Sequence, residues 1–420
     1  MVTENLKATL EKVNYYAFLI FAFSLNFPQT IIKFTLGIWL FTCIFSIKFK
    51  QKTTIKEVYF IPLLLLSFLI FGRLIVSLVH HDLPSLMSKL LDTQIALLLL
   101  PILIIFQINR YFNLKQILIT YVAGTFISCI IVLVYFYLYR YNILTGNIEG
   151  APLGANTHNL VEDIQLFQLF ISPYFKHRAA MGVNLSLSIA SLIYLIKGLN
   201  KISILKIISA IIVLMIFAVV IYITGSRSGI ISLILILFSS AVYMFKKKKI
   251  IFITFLFIGI LIAGLSNLKT TRLIDKGVRG YHNDISKMDP RFQIWESVIE
   301  IIKANPLLGV GYAKLKPVLY EKYKEKGLYQ DIAAKHNSHN QFLQFALESG
   351  IWASLILAFI LLPIYFGMEI YFLSFSFSAV FTIYSLFEDS LIIINGVTVF
   401  VFFIALLILS QKQISESLSI

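Results

Sequence analysis

The sequence has few of the residues that stabilise small secreted or metal-binding domains. Only 14% of its 420 residues are charged, and its two cysteines, Cys43 and Cys129, both fall inside apolar stretches. Such distant thiols form no motif, so we predict small buried side chains without a disulfide or metal role. The N-terminus also lacks the small-residue cleavage pattern of a secretory signal, so its first apolar run is expected to be a retained span.

Hydrophobic residues dominate instead, at 58% of the chain with a mean hydropathy of +0.85. This composition excludes a soluble domain. Runs of about 17–25 apolar residues recur, each long enough to cross a hydrocarbon core of about 30 Å. Backbone groups there must be satisfied within the segment, so the spans must be helices. We predict an all-α, polytopic transmembrane bundle of about twelve spans, near 13–27, 30–47, 57–79, 90–106, 117–139, 179–196, 207–224, 229–245, 250–266, 343–366, 369–387 and 390–410.

The net charge of +15 would suit nucleic acid, but its distribution indicates a membrane topology. Lysines and arginines gather in short connections that alternate threading places on one side, which the positive-inside rule makes cytoplasmic. We therefore expect no nucleic-acid partner, a lipid bilayer as the surroundings and both termini in the cytoplasm. These connections are Lys48–Lys56, Arg110–Lys115, Lys197–Lys206 and Lys246–Lys249.

The same threading divides the chain into three predicted parts. Residues 1–266 form the first spans with an outer loop near 139–178, residues 267–342 form a large outer loop, and residues 343–420 form the last spans and a cytoplasmic tail. The large loop is basic, but long loops cross the membrane largely regardless of charge. We see no internal repeat, which argues against a repeat-built transporter.

The large loop is predicted to contain folded structure. Apolar residues recur at helical spacing in Arg291–Lys303, at positions 292, 295, 298, 299 and 302, with Asp289-Pro290 as a start and Asn305-Pro306 as a stop. This amphipathic helix would suit the bilayer interface or other helices. Gly309-Val310-Gly311 predicts a tight turn, and Lys314–Lys326 predicts a charged helix or loop.

The polar run His336–Gln344 lies immediately before the apolar segment 345–366, where water meets lipid. An imidazole there can accept a proton near neutral pH. The candidate catalytic residues are His339, His336 and Asn340. We favour His339 among them, because Asn340 and a helix follow it at once, with His336 as a helper. The i, i+3 spacing of the histidines could bind a metal on a helix, but no acid is suitably placed nearby, so neither metal nor cofactor is expected.

Three arginines on or near the outer face are candidates for binding an anion. Arg227 lies in the glycine-bracketed break Gly225–Gly229, where small residues let backbone amides approach an anion and the guanidinium offers a bidentate fork. Arg178 begins a span, and Arg291 begins the amphipathic helix, where a cation opposes the helix dipole and an anionic partner would relieve the mismatch. The alternatives are a solvated turn, snorkelling to headgroups and plain solvation, respectively.

A fourth arginine, Arg73, lies inside the third span, where an ionisable group is costly and by default functional. His80 and His81 follow about two helical turns later, so this face points toward the outer mouth. A structural pair with an acid such as Asp92 is the alternative.

Three blocks of the sequence stand out together: Gly225-Ser226-Arg227-Ser228-Gly229; Arg291-x-x-x-Trp295 running into Asn305-Pro306-Leu307-Leu308-Gly309-Val310-Gly311; and His339-Asn340-x-x-Leu343-Gln344 with Glu348-x-Gly350-Ile351. In order, spacing and the large outer loop between spans, the chain resembles the O-antigen ligase and polymerase family of bacterial envelopes. The similarity covers roughly residues 170–410.

The resemblance implies a metal-independent membrane glycosyltransferase of the C type. Such enzymes take a glycan from undecaprenyl diphosphate, on the outer face of the bacterial inner membrane, and pass it to a sugar hydroxyl with inversion at the anomeric carbon. The partners would be this donor and a glycolipid or glycan acceptor such as lipid A core. Arg227, Arg291, Arg178 and Arg73 would bind the diphosphate in place of a divalent metal, and His339 would be the base or positioning group.

The same donor and pocket would serve three different acceptors. A ligase transfers a finished glycan once, a polymerase extends a chain on another lipid-linked repeat unit, and a protein O-glycosyltransferase uses a protein hydroxyl. The family's naming, more than the physics, favours the ligase. A lipid-linked glycan transporter would have short outer loops and polar residues through many spans, and a membrane scaffold would need no such arginine and histidine set.

Overall fold

A computed structural model of the protein describes residues 2–46, 57–106, 111–144, 178–198, 203–244, 291–368 and 370–417. Every regular element within these ranges is helical, so the all-α prediction is confirmed for them. Three predicted features fall wholly or mostly outside the described residues. These are the span at 250–266, most of the outer loop at 139–178 and the first part of the large loop, up to residue 290.

The helices in chain order are α1 Val2–Ser24, α2 Gln29–Phe45, α3 Ile61–Val79, α4 Leu83–Lys89, α5 Ile95–Phe106, α6 Leu114–Leu144, α7 Arg178–Lys197, α8 Ile204–Thr224, α9 Arg227–Met244, α10 Arg291–Ala304, α11 Leu315–Glu325, α12 Tyr329–Ala333, α13 Gln341–Ser349, α14 Ile351–Ile360, α15 Tyr371–Phe387 and α16 Ile394–Ser417. A π-helical turn, Leu90–Gln94, joins α4 to α5 without a break. Short 3-10 turns occupy Glu57–Phe60 and Pro363–Tyr365.

The described helices have the composition of an integral membrane protein. Five segments are long and apolar enough to cross a bilayer, and further apolar helices have 10–17 residues. The membrane character predicted from the sequence is therefore confirmed, while the count of about twelve spans stays a prediction. The five long segments are Ile61–Val79, Leu83–Ile104, Leu114–Leu138, Arg178–Lys197 and Ile394–Ile414.

The chain folds into two compact units, each built from separate stretches of sequence. The first unit comprises residues 1–21, 33–114 and 286–420, and the second comprises residues 22–32 and 115–285. The predicted boundaries at 266 and 342 follow the membrane topology instead, and they stay a prediction.

α16 is the most enclosed helix of the first unit. Every residue from Ile394 to Lys412 is buried, as expected for a helix that is apolar on all sides. Phe403 stacks on Phe377 of α15 with ring centroids 5.5 Å apart. α16 also packs on α5. This packing supports the short connection 388–393 between α15 and α16, which carries two acidic residues.

The predicted span 343–366 is two helices rather than one. α13 and α14 meet at Gly350, whose φ is +105°. The carbonyls that end α13 accept hydrogen bonds from the preceding loop, from Val310 N to Leu347 O at 2.9 Å and from Gly311 N to Glu348 O at 3.0 Å. A broken helix is tolerated in a membrane protein where its free backbone groups find such partners.

Glycine is required on both sides of this break because the two backbones lie in contact. A Cβ on Gly309, where φ is +60°, would lie 2.5 Å from Leu347 O, and one on Gly350 would lie 2.1 Å from Leu307 O. The tight turn predicted at Gly309-Val310-Gly311 is confirmed, and its role is to cap the end of α13.

The amphipathic helix predicted at Arg291–Lys303 is confirmed as α10, which ends before Asn305-Pro306. Its buried side differs in part from the predicted one. Phe292 and Ile299, two of the predicted apolar positions, are 50% and 41% exposed. The core of this region takes the predicted Val298 and Ile302 from α10, but also Ile294 and Ile301. They pack with Leu315, Leu319 and Tyr323 of α11 and with Ala346 and Leu347 of α13. Contacts with α11 and α13 therefore decide which side of α10 is buried.

Candidate functional site

His339 lies in the loop between α12 and α13 rather than on a helix. Its φ is +49°, an unusual left-handed conformation for a residue other than glycine, and its side chain is about a quarter exposed. Asn340, the next residue, is the N-cap of α13, because its side-chain oxygen accepts hydrogen bonds from Phe342 N at 3.0 Å and Leu343 N at 3.1 Å. Asn340 thus fixes where the helix begins and where His339 stands.

Glu388 joins His339 and Arg291 in one cluster. Its Oε2 lies 3.7 Å from His339 Nδ1, and its Oε1 lies 3.3 Å from the Arg291 guanidinium. Arg291 begins α10, where the helix dipole disfavours a cation, and Glu388 is the anion that offsets this unfavourable interaction. Glu388 is not among the residues predicted from the sequence. The available signal was the acidic pair Glu388-Asp389 between two strongly apolar segments.

The same carboxylate sets the protonation of His339. Contact with Glu388 raises the pKa of the imidazole, burial opposes the rise, Asp389 adds to it and Arg291 reduces it, so that the pKa ends above its ordinary value. Because Nδ1 faces Glu388, Nε2 is the ring nitrogen left for a substrate proton. The imidazole can therefore accept a proton, and the Glu388 carboxylate stabilises the imidazolium that results.

Asp389 anchors the loop that carries His339. Its Oδ1 accepts hydrogen bonds from Ser338 Oγ at 2.8 Å and from Asn340 N at 3.1 Å. Trp295 of α10 donates from Nε1 to Ser338 O at 3.0 Å. Burial raises the pKa of the Asp389 carboxyl above its ordinary value, against the opposing effects of His339 and Ser338. The loop is therefore held from two sides.

His336 is held by a different acid. Its Nδ1 lies 2.9 Å from Asp331 Oδ1, and its ring meets that of His339 edge to face, with centroids 4.9 Å apart. The two predicted histidines therefore lie together, but each imidazole faces its own carboxylate.

Arg73 is fully enclosed in the first unit. Its guanidinium donates to Glu348 Oε1 at 2.9 Å and to Gln94 Oε1 at 3.1 Å, and it lies 4.7 Å from the centroid of the Phe345 ring. Only 2% of the side chain is exposed. This is the arrangement of the structural alternative, with Glu348 as the acid in place of Asp92. Asp92 lies near Lys33 instead, at 3.8 Å.

Arg178 and Arg227 belong to the second unit, where they begin two parallel helices. Ser186 Oγ, in the first half of α7, donates to Gly229 O near the N-terminus of α9 at 3.1 Å. Lys197 Nζ, at the C-terminus of α7, donates to Tyr243 O near the C-terminus of α9 at 2.8 Å. The helices therefore run side by side in the same direction. Both arginines are exposed at the shared N-terminal end, where the helix dipoles favour an anion.

Two glycines make this helix pair unusually close. A Cβ on Gly229 would lie 2.7 Å from Gly182 Cα, and a Cβ on Gly182 would lie 2.3 Å from Ser226 Oγ. Ser226 Oγ in turn accepts a hydrogen bond from Gly229 N at 3.0 Å. The glycine-bracketed block around Arg227 is thus a helix–helix contact as well as a turn.

These features describe an all-helical integral membrane protein with a histidine–carboxylate–arginine cluster and an arginine-bearing helix pair. Residues 210–358 match the model of the O-antigen ligase family. The matched segment, about a third of the chain, contains Arg227, Arg291 and His339, and it supports the resemblance to the O-antigen ligase and polymerase family predicted from the motifs. No curated protein matches the chain. Glu388, Asp389 and Arg178 lie outside the matched segment.

Proposed function

We propose that the protein is a membrane glycosyltransferase of the O-antigen ligase type. It would transfer a glycan from undecaprenyl diphosphate to an acceptor hydroxyl on lipid A core or a comparable glycolipid, on the outer face of the inner membrane. The observation that carries the proposal is the contact of His339 with Glu388, which also pairs with Arg291. Members of the matched family are glycosyltransferase-type membrane enzymes, which supports the assignment to this class.

His339 is the proposed general base. Its Nε2 takes the proton of the acceptor hydroxyl while that oxygen attacks the anomeric carbon of the donor, and Glu388 stabilises the imidazolium. The bond between the anomeric carbon and the diphosphate oxygen breaks as the new bond forms, so a single displacement inverts the anomeric centre. His336, fixed by Asp331, and Asn340, which caps α13, act as supporting residues.

Arg227, Arg178 and Arg291 are the proposed cations for the diphosphate. Negative charge grows on the leaving oxygen, and preorganised guanidinium groups stabilise such charge without a metal ion. Arg227 and Arg178 offer bidentate donors beside two helix N-termini, which adds backbone N–H groups to the same end. Arg73, enclosed by Glu348 and Gln94, is assigned a supporting role rather than direct contact with the diphosphate.

Product length tests the proposal. Purified protein in lipid is given an undecaprenyl-diphosphate-linked repeat unit, with and without a lipid A core acceptor, and the products are sized. One added block that requires the core acceptor identifies a ligase, and a ladder of repeats without it identifies the polymerase alternative, which uses the same donor. His339→Ala is the inactive control. No transfer by the wild-type protein under either condition would overturn the proposal in favour of a transporter.

A further inference from the structure

The connection between α15 and α16 carries Glu388 and is gripped by two glutamine side chains. Gln341, at the start of α13, accepts a hydrogen bond from Leu391 N through its Oε1 at 2.6 Å. Gln94 donates from Nε2 to Leu391 O in a short hydrogen bond. Both glutamines are completely buried. Two side chains from different helices therefore satisfy both backbone groups of one residue, three positions after Glu388.

This grip is part of a closed ring of contacts inside the first unit. Gln94 Oε1 accepts from Arg73, and Arg73 donates to Glu348 on α13, the same helix that provides Gln341. The ring thus runs from Gln341 through Leu391, Gln94 and Arg73 back to α13. Every link is a buried hydrogen bond, and buried polar groups of this kind hold a geometry firmly because losing one partner leaves the other unsatisfied.

The backbone of the first unit is adapted to place Gln94 in this ring. Gln94 is the last residue of the π-helical turn Leu90–Gln94, and π turns inside α-helices are frequently found at functional sites. Asp92 in the same turn is largely exposed, with 67% of its side chain accessible. The turn therefore carries one polar side chain inward and another outward within three residues.

We propose that Gln94 and Gln341 are positioning residues that fix the connection 388–391 and thereby hold Glu388 against His339 and Arg291. Asp389 holds the same connection at its other end through Ser338 and Asn340. The inference rests on the proposed function for its activity readout, but the contact geometry at His339 can be measured without any transfer reaction.

The acid limb of the pH profile, which is the loss of transfer activity as the pH falls, depends on the position of Glu388 relative to His339. Among the described residues, the groups facing His339 are Glu388, Asp389, Arg291 and the ring of His336. Glu388 makes the largest contribution, and it raises the pKa of the imidazole. If the connection shifts and Glu388 withdraws, that pKa falls, so the loss of activity in acid moves to lower pH. A residue that only stabilised the fold would change the yield of folded protein and leave the limb in place.

The experiment compares Gln94→Met with Gln413→Met in purified protein. Gln413 also donates from Nε2 to a backbone carbonyl in the first unit, that of Phe112 at 2.7 Å, but it is an exposed residue outside the ring, so it controls for the loss of a glutamine hydrogen bond as such. We expect Gln94→Met to lower kcat about tenfold with little change in donor KM and to move the acid limb to lower pH. Gln413→Met should do neither.

Two further variants separate the parts of the ring. Gln94→Glu keeps an acceptor for Arg73 but removes the donor to Leu391 O, so it should reproduce the shifted limb if the grip on Leu391 matters. Gln341→Met cuts the other side of the grip and gives the same measurement if the Gln94 variants do not fold. An unchanged acid limb in folded variants of both glutamines would overturn the proposal.

Histidine NMR makes the result independent of transfer. The His339 ring signal, assigned by its loss in His339→Ala, is titrated in the wild type and in Gln94→Met. A lower ring pKa in the variant supports the proposal even if the donor has been misidentified, and an unchanged pKa contradicts it. Failure of the proposed function would appear separately, as absence of transfer by the wild-type protein.

Discussion

The two units place their cations in opposite ways. In the first unit Arg291 and Arg73 are paired with Glu388 and Glu348. In the second unit, the described residues contain no Asp or Glu at all. The described helices that carry Arg178 and Arg227 therefore contain no carboxylate of their own.

This difference separates two kinds of chemistry. A histidine that shares a carboxylate with an arginine has a protonation state that depends on its neighbours, so the first unit should govern how transfer varies with pH. The two arginines at helix N-termini are placed by the backbone contact between Gly182 and Gly229. The second unit should therefore govern affinity for the phosphorylated donor.

The largest expected effect comes from a substitution in the first unit. His339→Ala should lower transfer by about 10²–10⁴-fold, because it removes the imidazole that contacts Glu388, while the protein stays folded and inserted. His336→Ala should cost much less, since that ring is paired with Asp331. Product sizing measures both variants, and gel filtration checks folding. Near-normal turnover in His339→Ala would remove the catalytic assignment.

The next largest effect comes from a substitution in the second unit. Arg227→Lys should lower transfer roughly a hundredfold, because a point charge does not reproduce bidentate contact with the diphosphate. Lys197→Gln, at the opposite end of the same helix pair, is the control and should keep most of the activity. Donor titrations measure both variants. Equal losses in both would mean that the position of Arg227 at the helix start has no special role.

Removing one charge tests the pH dependence assigned to the first region. The pKa of His339 is raised, and a base must be neutral, so wild-type transfer should fail as the pH falls through that pKa. Glu388→Gln removes the main cause of the rise, so the acid limb should move to lower pH and the maximal rate should fall about tenfold. Glu300 lies on the same helix as Arg291 and pairs with Lys322 and Lys326. Glu300→Gln removes those pairs and should leave the acid limb of the pH profile in place. If the acid limb does not move in Glu388→Gln, the contact between Glu388 and His339 is not what sets its position.

A smaller effect sharpens the role of the helix pair. Gly229→Ala places a Cβ 2.7 Å from Gly182 Cα, so α7 and α9 must move apart, at a stability cost of about 1–3 kcal/mol. Separating the arginines should raise donor KM a few-fold and leave the acid limb unchanged. Gly198→Ala, whose nearest neighbour would lie at 3.5 Å, is the control. Thermal unfolding and donor titration measure the pair, and a Gly229→Ala protein with unchanged KM would argue against placement by this contact.

Removal of divalent metal ions is expected to have no effect on transfer. If arginines bind the diphosphate, a chelator should leave transfer unchanged, because guanidinium groups take the place of a divalent cation. Transfer is measured before and after treatment with EDTA. A clear loss that added Mg²⁺ or Mn²⁺ restores would show that the cations of the two regions are not sufficient.

Much of the local structure around the candidate site was predictable because it follows from local patterns. The spacing of apolar residues and the Asn305-Pro306 stop predicted α10, and the glycines at 309 and 311 predicted a turn that is present. The buried side of α10 was predicted only in part, because Phe292 and Ile299 have the right spacing but α11 and α13 cover another side. A single periodic pattern indicates that a helix has an apolar face, and the neighbouring elements choose which residues enter the core.

The sequence by itself determined the membrane class, the helical fold and the family resemblance, because hydrophobic length, helix signals and short motifs act within a few residues of one another. Only the tertiary structure decided which charges meet. Glu388 is 49 positions from His339 and 97 from Arg291, and Gln94 is 297 positions from Leu391, so no local spacing could pair them. Burial makes such contacts decisive, since an ionisable or amide group removed from water must find a partner wherever the fold provides one.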